Sequence, residues 1–127
     1  MIKVLRKSFG TVILHDCYAI VEIKEGIILS QEHNNALIEI GKEHFGDQPF
    51  GCISNRINSY SVDPTIYITS TMVHNLKAIA IVSKNPTSRS TAILEKTFYG
   101  NHFEIFKDIE VAKDWILPII TAHRASA

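Results

Sequence analysis

The sequence predicts an α/β fold: a mixed β-sheet with antiparallel N-terminal strands and about four helices packed mostly on one face. Three observations predict it. Strand-like and helix-like segments alternate after Pro49, which implies right-handed crossovers and a largely parallel sheet. The strand-like pieces before Ser30 are too close together for crossovers and so pair antiparallel, as a meander. "LKAIAIVS" (Leu76–Ser83) is the clearest buried strand in the chain, built on the apolar run Ala78–Val82.

The elements follow in order. Ile2, Val4 and Leu5 among Lys3, Arg6 and Lys7 form a short strand that Gly10 breaks. Thr11–Leu14 is a second β-rich piece, His15-Asp16 a turn, and Cys17–Lys24 a stronger strand, rich in β-branched and aromatic residues. After the Glu25-Gly26 turn, Ile27–Leu29 is expected to add one more strand to the meander. Ser30 is a helix N-cap, with Glu32 suited to the dipole of the first turn. This helix runs to Phe45 and stops at Gly46. Its inner face is Leu37, Ile38, Gly41 and Phe45, and Gly41 fits there if the helix lies close on the sheet.

Pro49–Ser54 reads as a short buried strand. Asp63 as N-cap with Pro64 at the first helical position starts a helix over Pro64–His74, with Ile68, Met72 and Leu76 on one face. Its β-branched residues also fit a strand, but Asp-Pro is a poor way to continue a central one. After Leu76–Ser83, Thr87 or Ser88 caps a helix to Tyr99, with Leu94 and Phe98 as an i, i+4 pair. His102–Phe106 is the last strand. Asp108 caps a final helix whose stripe is Ile109, Ala112 and Ile116, with Trp115 largely buried beside it. Pro118 ends or kinks that helix, leaving a turn and a loose tail to residue 127.

The chain of 127 residues is expected to form one domain, residues 1–127, with enough apolar content at 46% to bury a core without staples. Thirteen basic and thirteen acidic residues leave no cationic excess for nucleic acid and no charge block for a membrane surface. The apolar runs are far shorter than the roughly 20 residues of a membrane span, and "MIKVLRKSFG" does not read as a secretory signal. Cys17 and Cys52 are then reduced core thiols in a cytoplasmic protein. The six histidines are scattered, and even His33 and His44 lie about three helical turns apart, so no metal site is expected. No nucleophile motif, phosphate loop or paired carboxylate with catalytic spacing is present.

The densest group of polar side chains is "ISNRINSYSVDP", between a strand end and a helix start. Asn55, Arg56, Asn58, Ser59, Tyr60, Ser61 and Asp63 are the candidate binding residues. Arg56 offers charge beside a helix N-terminus, Asn55 and Asn58 directional hydrogen bonds, and Tyr60 contact area. The competing structural reading is that Arg56 pairs with Asp63 or a nearby glutamate, the asparagines make turn hydrogen bonds, and Tyr60 covers the core.

The last unit, "FEIFKDIEVAKDWI", together with the element order along nearly the whole chain, resembles the STAS/SpoIIAA-like domain of anti-sigma-factor antagonists and sulfate-transporter tails. The resemblance implies a SpoIIAA-like fold and a regulatory site in the loop after a central strand. In that family a serine of an Asp-Ser-Ser-Gly-like motif there is phosphorylated by a partner kinase. Ser59 and Ser61 occupy that position here, by place in the fold and not by motif. The expected function is a non-enzymatic regulatory or protein-interaction module of the bacterial cytoplasm. It would use no cofactor, nucleic acid or membrane insertion, would bind a protein partner, and would form a homodimer through its strand edges. The alternatives are binding of a small anion or an apolar ligand and, more weakly, an enzyme of unknown type. A closed apolar cavity beneath the helices would favour a ligand, and an open polar loop surface a protein partner.

Overall fold

The computed structural model describes residues 2–126. Strands β1 (Lys3–Lys7), β2 (Gly10–Leu14) and β3 (Tyr18–Ile23) form the antiparallel meander. Then follow β4 (Ile28–Leu29), α1 (Gln31–Phe45), β5 (Phe50–Asn55), β6 (Ser61–Val62), α2 (Ile66–Thr71), β7 (Leu76–Val82), α3 (Pro86–Lys96), β8 (His102–Phe106) and α4 (Ile109–Ala125). The main sheet has the order β1-β2-β3-β5-β7-β8 and is parallel from β3 onward. β7 lies inside the sheet, between β5 and β8, as its apolar run requires.

Alternation from Ala78 to Val82 builds two cores, and a register shift between Phe50 and Gly51 opposite the start of β7 leaves Leu76 with Ile79 and Ile81. Leu76, Ile79 and Ile81 point to the layer shared with Phe45 of α1, Ile66 and Tyr67 of α2, and Ala92 of α3. Ala78, Ala80 and Val82 point to the other layer, filled by Ala112, Ile116 and Ile120 of α4. Three helices therefore cover one face and α4 the other. Cys17 and Cys52 are unpaired and belong to different layers. The close approach of α1 is real: a Cβ on Gly41 would stand 3.2 Å from the Phe50 ring. Gly46 ends α1 at φ 61°, a conformation that favours glycine.

Several local expectations are corrected. β4 does not extend the meander, because β3 already has β2 and β5 as neighbours. Gly26, at φ 78°, turns the chain away, and β4 pairs in parallel with β6 from the polar loop. The second helix is shorter than Pro64–His74. Asp63 Oδ1 accepts from the Thr65 N–H (3.1 Å) and hydroxyl (2.7 Å), closing a turn over Pro64. The helix starts only at Ile66, and the buried residues are Ile66, Tyr67 and Ser70, while Ile68 and Met72 are exposed.

Helix α3 is capped by Asn85, whose side chain accepts from the Ser88 N–H, with Pro86 in the first turn. It ends at Lys96, and Leu94 is exposed, so Leu94 and Phe98 do not form a core seam; Ala92 and Glu95 are the buried positions. Pro118 neither ends nor breaks α4. It lies on the exposed side, where water can reach the Asp114 carbonyl it leaves unpaired. Arg124 ties the far end of α4 to the Pro49 and Asp16 carbonyls, so helix replaces the expected loose tail up to Ala125; residue 127 lies outside the described residues. Trp115 is half-buried, packed on Phe106 at 5.4 Å between ring centroids, and not largely buried as expected.

Candidate functional site

The polar loop leaves β5 at the carboxyl end of the sheet and is stitched to its surroundings on both sides. On one side the Arg56 N–H donates to the Val82 carbonyl of β7 (2.8 Å). On the other, the Ser61 and Asp63 N–H groups donate to the Ile27 and Leu29 carbonyls, and the Gly26 N–H donates to the Ser59 carbonyl. Side chains reinforce this. Asn55 Nδ2 donates to Glu22 Oε2 (2.9 Å), and Asn58 Nδ2 donates to the Ile23 carbonyl (3.0 Å). The Ser59 N–H donates to Glu25 Oε1 (2.8 Å). A segment with this many partners has the conformation of a built element and not of a slack connection.

Arg56 is the centre of the arrangement. Its guanidinium makes two parallel bonds to Glu95 of α3, Nη1 to Oε2 at 2.8 Å and Nη2 to Oε1 at 2.5 Å. The side chains are 4% and 1% exposed. The Tyr67 hydroxyl donates to Glu95 Oε1 (2.6 Å), and the Tyr60 ring lies 5.7 Å from Arg56 Cζ. Ser54 Oγ and the Tyr60 hydroxyl are 3.1 Å apart. The glutamate partner thus comes from α3, not from the loop, and Asp63 serves Thr65 instead. Arg56 Nε alone among the described buried side-chain atoms has no partner.

The electrostatics follow from this burial. Burial pushes the Tyr67 phenol well above its ordinary value, and the adjacent Glu95 carboxylate adds to the rise. Burial of Arg56 works against its charge, but the hydrogen bonds to Glu95 and the charge of that carboxylate outweigh it, so the guanidinium stays charged. The Tyr60 phenol is raised by burial, with Arg56 opposing. A bidentate pair this buried is costly to break and fixes geometry tightly.

What remains open to solvent is the rim. Ile57, Asn58, Ser59 and Ser61 are exposed, whereas Asn55, Arg56 and Tyr60 are turned partly inward. The rim borders an open cleft of about 810 Å³, whose other wall carries Thr87, Ser88 and Thr91 of α3. Among the described residues no three His, Cys, Asp or Glu side chains stand together as a metal would require. A separate apolar cavity of about 90 Å³ lies between α1, α2 and the sheet.

The loop was legible in the sequence, but Glu95 and Tyr67 were not singled out. A signal existed for Glu95: Ala92, Glu95 and Tyr99 share one helical face by spacing, and a carboxylate on an apolar stripe demands a partner.

No protein-family profile and no curated protein matches the sequence. Among solved structures, the chain is similar to an uncharacterized protein of the DUF3478 family with a SpoIIAA-like fold from Shewanella loihica PV-4. The two are 15% identical, with a TM-score of 0.57, and the match covers 91% of this chain and 92% of that one. The fold of this chain is SpoIIAA-like, with the antiparallel N-terminal strands and the helix distribution described above.

Proposed function

We propose that this SpoIIAA-like chain is a non-enzymatic interaction module that holds a protein partner on the Asn55–Asp63 loop. The observation that supports it most is a division of labour within the loop. Asn55 on Glu22, Arg56 on Glu95, Tyr60 on Ser54 and Asp63 on Thr65 form the frame. Ser59 and Ser61, with Ile57, face outward over the cleft, while Asn58, exposed beside them, spends an amide N–H on the Ile23 carbonyl. A surface ordered before contact loses little conformational entropy on binding. Its exposed groups are mostly uncharged amides and hydroxyls, which suit a polar partner surface in a neutral protein. A small-anion site at this loop would need the charge of Arg56, which Glu95 already neutralises.

The test is a photo-crosslinking residue placed at Ser59 and, as control, at the exposed Glu39 of α1, in the native cell. A discrete adduct at position 59, absent at 39 and competed by untagged protein, is expected. No adduct at 59, or equal adducts at both positions, would refute the reading.

A homodimer through the free edge of β1 belongs to the same reading. Lys3, Arg6 and Lys7 line that edge, so two copies would repel there at low ionic strength. Light scattering should show twice the 14.3 kDa monomer mass in high salt, and the monomer mass at every salt concentration would rule the dimer out.

A further inference from the structure

The two edges of the main sheet are finished differently. β8 is flanked by α3 and α4, and Lys96 of α3 reaches Glu104 at 2.7 Å. β1, at the other edge, sends only Leu5 toward a core, and its other four residues are exposed. We propose that β1 is a docking edge for an extended acidic segment of a partner protein, which adds to the sheet as a further antiparallel strand. This surface is separate from the Asn55–Asp63 loop and does not rest on the reading of that loop.

The backbone fixes which groups this edge offers. The His15 N–H donates to the Tyr18 carbonyl and the Lys24 N–H to the Phe9 carbonyl, so Thr11 and Ile13 direct their backbone groups at β3. Gly10, Val12 and Leu14 therefore bond to Lys7, Leu5 and Lys3, and the N–H and C=O groups of Val4 and Arg6 point out of the sheet. The edge runs five residues with no proline and no register shift against β2, so nothing interrupts an added strand. Among the described residues Lys3, Arg6 and Lys7 take part in no ion pair. Cations on an edge keep identical edges apart, and the same charges select an acidic strand. Opposite Lys7, Arg6, Leu5, Val4 and Lys3, an antiparallel segment reading acid, acid, apolar, apolar, acid matches every position. Its two outer acids then stand against Lys7 and Lys3 in the closely spaced pairs that share no hydrogen bond. Main-chain bonds supply the affinity of such an added strand, and its side chains the selectivity. A second copy of the chain brings the same three cations, so it competes for this edge only where salt screens them.

Isotope-labelled protein titrated with the peptide Thr-Glu-Glu-Val-Val-Glu-Thr at low ionic strength tests this by NMR. Saturable shifts centred on the Val4 and Arg6 amides, with slowed hydrogen exchange at both, are expected, while the Ser59 and His102 amides stay unmoved. Salt at about 1 M, or Arg6→Glu combined with Lys7→Glu, should weaken binding about tenfold or more. Lys3→Gln with Lys7→Gln gives the same reading at a smaller fold-change, should the charge reversal disturb the hairpin. A peptide with prolines in place of its two valines keeps every charge but loses main-chain donors, and should not bind. Equal binding of the proline peptide would make the edge a charged surface only. Tighter binding of an oligo-thymidine would give it to nucleic acid, and protection of the Val4 and Arg6 amides in the protein alone at low salt would give it to a second copy. Any of these results, or no saturable shift at β1, overturns the proposal.

Discussion

The two faces of the sheet are packed to different standards. On the α4 face, small residues let the layers close completely: a Cβ on Gly51 would lie 2.5 Å from Ile116 Cδ1, and Ala78, Ala80, Ala112, Ile116 and Ile120 have no exposed surface. The face under α1, α2 and α3 instead holds a cavity, a buried ion pair and two buried tyrosines. The α4 layer is a foundation, where any added volume is felt. The other layer keeps empty space and buried charge, the local departures from ideal packing that folds retain at working sites. The frame of the Asn55–Asp63 loop, through Glu95 and Tyr67, is anchored in that second layer.

The comparison is sharpest at Arg56. Arg56→Ala leaves Glu95 buried without a counter-charge and should cost about 3–5 kcal/mol in chemical unfolding. Arg56→Met with Glu95→Leu should recover most of that. A loss below about 1 kcal/mol for the single variant, as for an exposed ion pair, would contradict the buried frame.

Adding carbon to each face should then have opposite signs. Gly51→Ala forces Ile116 out of place and should destabilise by about 1–3 kcal/mol. Ala19→Val, pointing into the cavity, should be neutral or stabilise by up to about 1 kcal/mol. If both variants destabilise equally, the faces do not differ in packing.

The smallest effect is a dependence on pH. Burial holds the Cys52 thiol at about 12, against an ordinary 9.0. Above pH 9 the unfolded chain releases this proton and the folded chain keeps it, so the unfolded state gains and stability falls as pH rises. Between about pH 9 and 10 the loss from this group alone is roughly 1 kcal/mol. Cys52→Val should remove that part of the slope. The raised Tyr67 and Tyr60 phenols act in the same direction above their ordinary value of 10.0 and should leave a residual decline in the variant. An unchanged slope would mean that the thiol is not shielded from water.

Legibility in the sequence followed the range of the interaction. β7 was readable because seven consecutive residues pack on both faces, and the start of α4 because Asp108 caps it locally, accepting from the Glu110 N–H. The departure of β4 was not, since two residues show no period and its partner β6 lies more than thirty residues away. The inner face of α2 was misread because one turn at Asp63–Thr65 moved the helix start and rotated every side chain after it. The site divides in the same way. The loop was visible as a cluster of polar residues, while the carboxylate that holds Arg56 sits thirty-nine positions on, in a helix whose packing only the fold decides.

Amide hydrogen exchange of the loop tests most directly whether it is a surface formed before any partner arrives. The Arg56, Ser61 and Asp63 N–H groups donate to Val82, Ile27 and Leu29 carbonyls, so in the free protein they should exchange slowly, as strand amides do. Ser59, whose N–H is held only by the exposed Glu25 carboxylate, should be faster. Rapid exchange at all four, at the rate of an unstructured chain, would show that the loop is not built in advance and would remove the basis for treating it as a binding surface.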